Sequence, residues 1–485
     1  MIHKNHPAVK AFISFCEGPF YMLLFGALVL LGHLLHIELW LCAVEIVLLS
    51  AALLVTDSVK PLAIANLTFI FQVTLTHSPS APHFSTYYFE GAHLYLVLVL
   101  CVILVAALVT YLVRTRFFSR LRFGKTPLLI PLLLLSAAFL LNGLFFDRYT
   151  VSNLTFGLTQ VAVYLLDFLV LYDGLSRMKR EELLPFAVEL SLTVSWILIA
   201  ELANVYLVSV TAGLLDKREI MFGWGIANSC ACCLSVQLPL LFYGIYSGHR
   251  RILSGGTLLV VLVALVCTLS RSAILFAAVI LLLCMGYACL FGQERRRFRL
   301  ASVGIIVGLF ALCGVLVAAF PDKVATVMDY FRRVGIGDSG RIGIWREALE
   351  NFRENPSFGV GFYGRRILNS DTLGDVYTDF YPEFAHNTLV EMLASAGIFG
   401  LAAYLFLRVR SLAVFFKRPS AEKVFLGLSV LMFLLESQLD IFTFSIYPTF
   451  FYNFALAMAF ALDSHEAAHD TADALDAPAR DTLGT

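Results

Sequence analysis

Fourteen stretches of this 485-residue chain are apolar for long enough to cross a membrane, and nothing else in the sequence restricts the fold so strongly. A helix needs on the order of 20 apolar residues to span about 30 Å of hydrocarbon. Such runs fall at roughly 18–36, 39–55, 61–76, 91–113, 127–146, 154–172, 184–207, 221–247, 254–268, 271–291, 300–320, 386–407, 422–437 and 441–462. The third, ninth and thirteenth are short and the first two nearly merge, so the expected architecture is all-α and polytopic, with twelve to fourteen spans. The balance of 59% hydrophobic to 14% charged residues excludes an ordinary soluble domain. No small-residue cleavage site precedes the first run, so it reads as an uncleaved span.

Lysine and arginine should collect in every second connection of such a chain. They do, at Lys4 and Lys10, Lys60, Arg114 to Lys125, Arg177 to Arg180, Arg250–Arg251, Arg295 to Arg299, and Arg408 to Arg418. This alternation puts both termini in the cytoplasm. It divides the chain into a bundle of about eleven spans at 1–320, a large extracytoplasmic loop at 321–385, C-terminal spans at 386–462 and a disordered cytoplasmic tail at 463–485. In the loop, eight basic residues are balanced by ten acidic ones, the composition of a folded segment. The ten cysteines avoid the loop and read as small packing residues of the apolar runs, CACC at 230–233 included. No metal site and no cofactor are expected.

The loop is the longest polar interruption, so the chemistry is sought there. Asp338 and Ser339 can cap a helix in which Trp345, Ala348, Leu349 and Phe352 recur at helical spacing and which Asn355–Pro356 ends. Glycines 359, 361 and 364 then read as a flexible turn. His386–Asn387 opens the next apolar run, which puts an imidazole at a membrane boundary.

Three arginines share that outer side. Arg271 occupies a connection of only a few residues, where a guanidinium is costly unless an anion meets it. The competing reading is a structural arginine reaching for headgroups. Arg341 begins the loop helix, as an arginine of any loop helix can. Arg218, in LDKREIMFGW, can simply pair with Asp216 or Glu219. His386 alone can be no more than a cap.

Together, SRSAILFAAVI at 270–280, SGRIGIWREALENFRENPSFGVGFYG at 339–364 and HNTLVEMLASAGIFGLAAY at 386–404 resemble the signature of the bacterial O-antigen ligase and Wzy-type polysaccharide polymerase superfamily. The resemblance covers the middle and C-terminal half of the chain. It implies metal-independent, inverting glycan transfer from an undecaprenyl-diphosphate-linked donor on the outer face of the bacterial cytoplasmic membrane. By position, Arg271, Arg341 and His386 match its essential residues, with Arg218 a looser match. Trp345, Asn387 and Gly361 are candidates for substrate binding beside them. The implied partners are the lipid-linked donor, a glycan or lipid A-core acceptor and membrane lipids, with no nucleic acid.

Elementary chemistry agrees with those residue types. A lipid diphosphate is an activated donor, so the protein must hold charge on the departing diphosphate and remove a proton from a sugar hydroxyl. Arginine suits the first task through its permanent charge and bidentate fork. Histidine suits the second through a pKa near working pH. Trp345, Phe362, Tyr363, Tyr377 and Tyr381 can stack on sugars or pack the loop against the interface. A transporter is the competing class, because Glu45, Asp167, Glu189, Glu201, Glu436 and Asp440 read as intramembrane charges of the kind a carrier shows. A carrier has no need of a large asymmetric loop with clustered arginines, and a purely structural scaffold has no use for the Arg and His set. The same side chains serve a polymerase or a ligase; fourteen spans lean toward the polymerase.

Overall fold

The computed structural model describes residues 6–70, 91–146, 149–208, 217, 220–222, 225–292, 294–335, 340–363, 366–367, 376–377 and 385–476. Helices dominate them, joined by two antiparallel pairs of two-residue strands, Met221–Phe222 with Gly225–Ile226 and Arg366–Ile367 with Val376–Tyr377. Every predicted apolar run falls on a helix, the run at 61–76 through Lys60–Leu67 at its start. Eight helices among the described residues are long and apolar enough to cross a membrane. Pro7–Glu17 and Pro19–Leu35, bent by 66° at Gly18, make a ninth when taken as one span. Leu129–Leu140 and Arg251–Cys267 are shorter apolar helices, so the described residues hold eight or nine candidate spans where twelve to fourteen were expected.

Burial is distributed as a bilayer protein requires. Gly91–Arg114, Arg271–Phe291 and Arg295–Ala319 present most of their apolar surface outward, whereas Ala227–Ser247 is largely enclosed. Three expectations change. Cys101 and Cys313 are exposed on such outward faces rather than buried in packing. Arg408 does not sit in a cytoplasmic connection: it is 6% exposed, inside Thr388–Phe416, with its guanidinium between the rings of Tyr404 and Tyr452 at 4.5 and 4.4 Å. The segment read as a disordered tail continues the last helix to Asp476. Its first turns are held by ion pairs, Lys423 Nζ meeting Asp463 Oδ1 at 3.1 Å and Glu466 Oε2 at 2.7 Å.

The loop carries two helices. Pro321–Val334 follows directly on Arg295–Ala319, and Arg341–Glu354, the loop helix, packs on the first turns of Thr388–Phe416 through Ala348, Ala385 and Ala394, all fully buried. The N-cap of the loop helix is Gly340, in a left-handed conformation that glycine adopts without strain. Asp338 and Ser339 lie outside the described residues.

The turn after the loop helix is pinned rather than flexible. Thr388–Phe416 breaks at Gly397 (φ 67°, ψ −164°), so the amides of Ile398 and Phe399 donate not to their own helix but to the carbonyls of Pro356 and Ser357 at 2.9 and 3.3 Å. The carbonyls this frees, of Ala394 and Ser395, accept from Val360 and Gly361, both at 3.0 Å. Two helical rungs are thus exchanged for four bonds to the turn, which satisfies backbone groups that a kink would otherwise orphan. Such close approach excludes side chains. A Cβ on Gly359 would lie 2.3 Å from the Ser395 backbone, and one on Gly361 2.7 Å from Asn153. Phe362 is part of the core, its ring 4.6 Å from that of Phe156 and 5.0 Å from that of Phe444, and is not available to stack on a sugar.

Candidate functional site

His386 is held from all sides by its own backbone neighbours. It has a positive φ of 50°, uncommon outside glycine. Its predecessor Ala385 is fixed at both ends: its amide donates to Glu391 Oε2 at 2.7 Å and its carbonyl accepts from Trp345 Nε1 at 2.8 Å. Its successor Asn387 caps the next helix, accepting from the amides of Leu389 and Val390 at 2.9 and 3.1 Å, and donates to the Gln438 carbonyl at 2.9 Å. Thr388 continues the attachment, its amide donating to the Ser437 carbonyl at 3.0 Å. These bonds tie the start of the helix to the connection after Ala421–Glu436. Backbone held so completely can sustain a sparsely populated conformation.

That connection supplies the partner of the imidazole. His386 Nδ1 lies 3.1 Å from Asp440 Oδ1, with the histidine side chain 43% exposed and the aspartate 8%. Asp440 also accepts from its neighbour, the Ile441 amide, at 2.9 Å, and from Asn228 Nδ2 at 2.7 Å. Burial by itself would push the Asp440 carboxyl up, but the hydrogen bond and charge of His386, with the Ile441 amide and Asn228, outweigh it and hold the group below the usual carboxylate range. An ionised Asp440 can only accept, so Nδ1 donates to it, and in a neutral imidazole that tautomer leaves the lone pair on Nε2.

A lysine is linked to this pair through Asn228. Lys217 Nζ donates to Asn228 Oδ1. Its ammonium is lowered to about 8, first by burial and then by the positive charges of Arg341 and Arg271, while Asp440 and Glu436 pull the other way. Lys217 therefore lies within electrostatic reach of both arginines and of the carboxylate that holds His386. Arg271 opens the helix Arg271–Phe291 after the connection 268–270, and its Nη1 donates to the carbonyl of Gly335 at the end of Pro321–Val334. Arg341 is the first residue of the loop helix.

Of the residues singled out in the sequence, Arg271 and Arg341 lie within electrostatic reach of Lys217, which Asn228 and Asp440 join to His386. Trp345 is next to them as a strut under the His386 backbone, Asn387 as a helix cap and Gly361 as part of the buried turn. Arg218, Gly364 and Tyr381 lie outside the described residues, as does the side chain of Tyr377. Tyr363 packs its ring 6.0 Å from Phe156. Sequence reasoning did not single out Lys217 or Asn228, and it read Asp440 only as a charge beside an apolar run. For Asp440 the available signal was an aspartate in a polar break, SQLD, between two spans; nothing near Asn228 distinguishes it.

Compared with known proteins, residues 256–405 match the family model described as O-antigen ligase. The match contains Arg271, Arg341, Trp345, Gly361, His386 and Asn387 and leaves Lys217, Asn228 and Asp440 outside it. No curated protein matches the chain.

Proposed function

We propose, from the match of residues 256–405 to the O-antigen ligase family model and from the candidate membrane spans, that the chain transfers glycan from an undecaprenyl-diphosphate donor on the outer face of the cytoplasmic membrane. The observation that carries the reading is the juxtaposition of an Asp440-held His386 with the charges of Lys217, Arg271 and Arg341. Such a site has a base for a hydroxyl proton and a surplus of positive charge for a diphosphate.

The reaction balances on those groups. An acceptor hydroxyl oxygen attacks the anomeric carbon from the face opposite the diphosphate, and its proton passes to His386 Nε2. The bond from the anomeric carbon to the diphosphate oxygen breaks, and the electron pair leaves with undecaprenyl diphosphate. Asp440 stabilises the imidazolium that forms, while Arg271 and Arg341 take up the charge on the leaving group. Attack from the opposite face inverts the anomeric centre. The outward apolar faces of Arg271–Phe291 and Arg295–Ala319 offer a surface along which a polyprenyl chain can lie.

Polymerisation, in which the acceptor is a second lipid-linked glycan, is the first reading. Ligation to lipid A-core is the second, favoured by the description of the matching family. Arg271→Lys and Arg341→Lys test the shared chemistry. A bidentate grip on phosphate requires the guanidinium fork, so each variant should insert and accumulate normally yet lose most of its transfer activity. Parental activity in both would remove the arginines from the diphosphate site.

A further inference from the structure

The groups around His386 form one continuous chain of hydrogen bonds with a fixed polarity. Lys217 Nζ donates to Asn228 Oδ1, Asn228 Nδ2 donates to Asp440 Oδ2 at 2.7 Å, and His386 Nδ1 lies 3.1 Å from Asp440 Oδ1. We propose that Lys217 is a positioning residue that couples occupancy of the diphosphate site to alignment of the base, acting through Asn228 and Asp440. The inference rests on the reading of His386 as the base.

An ammonium only donates and a carboxylate only accepts. An amide between them has a single orientation, oxygen toward Lys217 and nitrogen toward Asp440. In that orientation both Asp440 oxygens are occupied, one by Asn228 and one by His386 and the Ile441 amide. If Lys217 loses its proton, the neutral amine donates more weakly, so Asn228 is held less firmly against Asp440 and the carboxylate is less fixed against the imidazole.

The charges facing Lys217 make this sensitive to the donor. Burial, Arg341 and Arg271 favour loss of the proton, and Asp440 and Glu436 favour its retention. Phosphate oxygens between the two arginines neutralise the opposing charges and add negative charge of their own. Lys217 therefore holds its proton more firmly with donor bound, and the base is aligned when there is something to transfer.

The test is steady-state transfer by the full-length purified chain, with undecaprenyl-diphosphate-linked glycan as donor, followed against pH. For the parent, kcat/KM for donor reports the free enzyme and should fall with a basic limb near pH 8, whereas kcat reports the complex and its limb should lie higher. Lys217→Gln should lower kcat by roughly ten- to hundredfold while donor KM stays within about threefold, the signature of lost transition-state alignment. Lys217→Arg keeps a permanent donor, so it should retain activity at neutral pH and lose the limb near pH 8. A Lys217→Gln variant with parental kcat and a raised donor KM would make Lys217 an ordinary phosphate contact, and an unmoved limb in Lys217→Arg would equally overturn the coupling. His386→Ala, run alongside, separates the two ideas. If it turns over at the parental rate the base reading itself fails, and if it is inactive while Lys217→Gln keeps parental kcat only the coupling fails.

Discussion

At the scale of the residue, the site depends on one tautomer. In the proposed mechanism an ionised Asp440, 3.1 Å from Nδ1 of His386, keeps the proton of the neutral imidazole there and leaves Nε2 to receive another. In Asp440→Asn the side-chain nitrogen can face Nδ1 and force the opposite tautomer, with shape and volume kept. Turnover should then fall by roughly 10² to 10⁴, the worth of a correctly protonated general base, with donor KM little changed. Parental turnover in that variant would remove Asp440 from the mechanism. In the sequence His386 and Arg271 stand out because each lies at the edge of an apolar run, and Arg341 because it begins the loop helix. Asp440 does not, because it is 54 residues from His386 and nothing local says that two helix ends meet. Lys217 was hidden by its neighbour: in DKRE the arginine has the more familiar phosphate chemistry, and only the bond to Asn228 sets the lysine apart.

At the scale of the element, the loop helix and the turn that follows it form the frame on which His386 is mounted. Trp345 supports the Ala385 carbonyl from one side, and the turn inserts into the broken rungs of Thr388–Phe416 from the other. The helix was readable from the spacing of Trp345, Ala348 and Phe352. The turn was readable as a turn, but its glycines were taken for flexibility because a sequence pattern does not show that Ser395 and Asn153 press against them. The distinction has a measurable outcome. Gly359→Ala places a Cβ 2.3 Å from the Ser395 backbone at a φ of 69°, and should lower thermal stability, with a loss on the order of 1–3 kcal/mol and reduced accumulation. An unchanged melting temperature would mean that the turn is loose after all.

At the scale of the whole molecule, the spans were the most legible feature, since a 20-residue apolar run admits few other fates. Less legible were places where polar groups satisfy one another inside the fold: Arg408 between two tyrosines, and the last helix extended by Lys423 to Asp463 and Glu466. Sidedness rests on the alternation of basic connections, and a cysteine introduced at Ser370 in a background without native thiols should react with an impermeant reagent in unpermeabilised cells. Reaction only after permeabilisation would place the loop, and the transfer with it, on the other face. The central claim is that His386 removes the acceptor proton while Arg271 and Arg341 hold the diphosphate. The most direct measurement compares purified parent and His386→Ala for glycosidic product, released undecaprenyl diphosphate and donor affinity, all with a metal chelator present. The account predicts that the parent works, and that the variant binds donor as the parent does yet forms product roughly 10² to 10⁴ more slowly. Product at the parental rate from His386→Ala would contradict it.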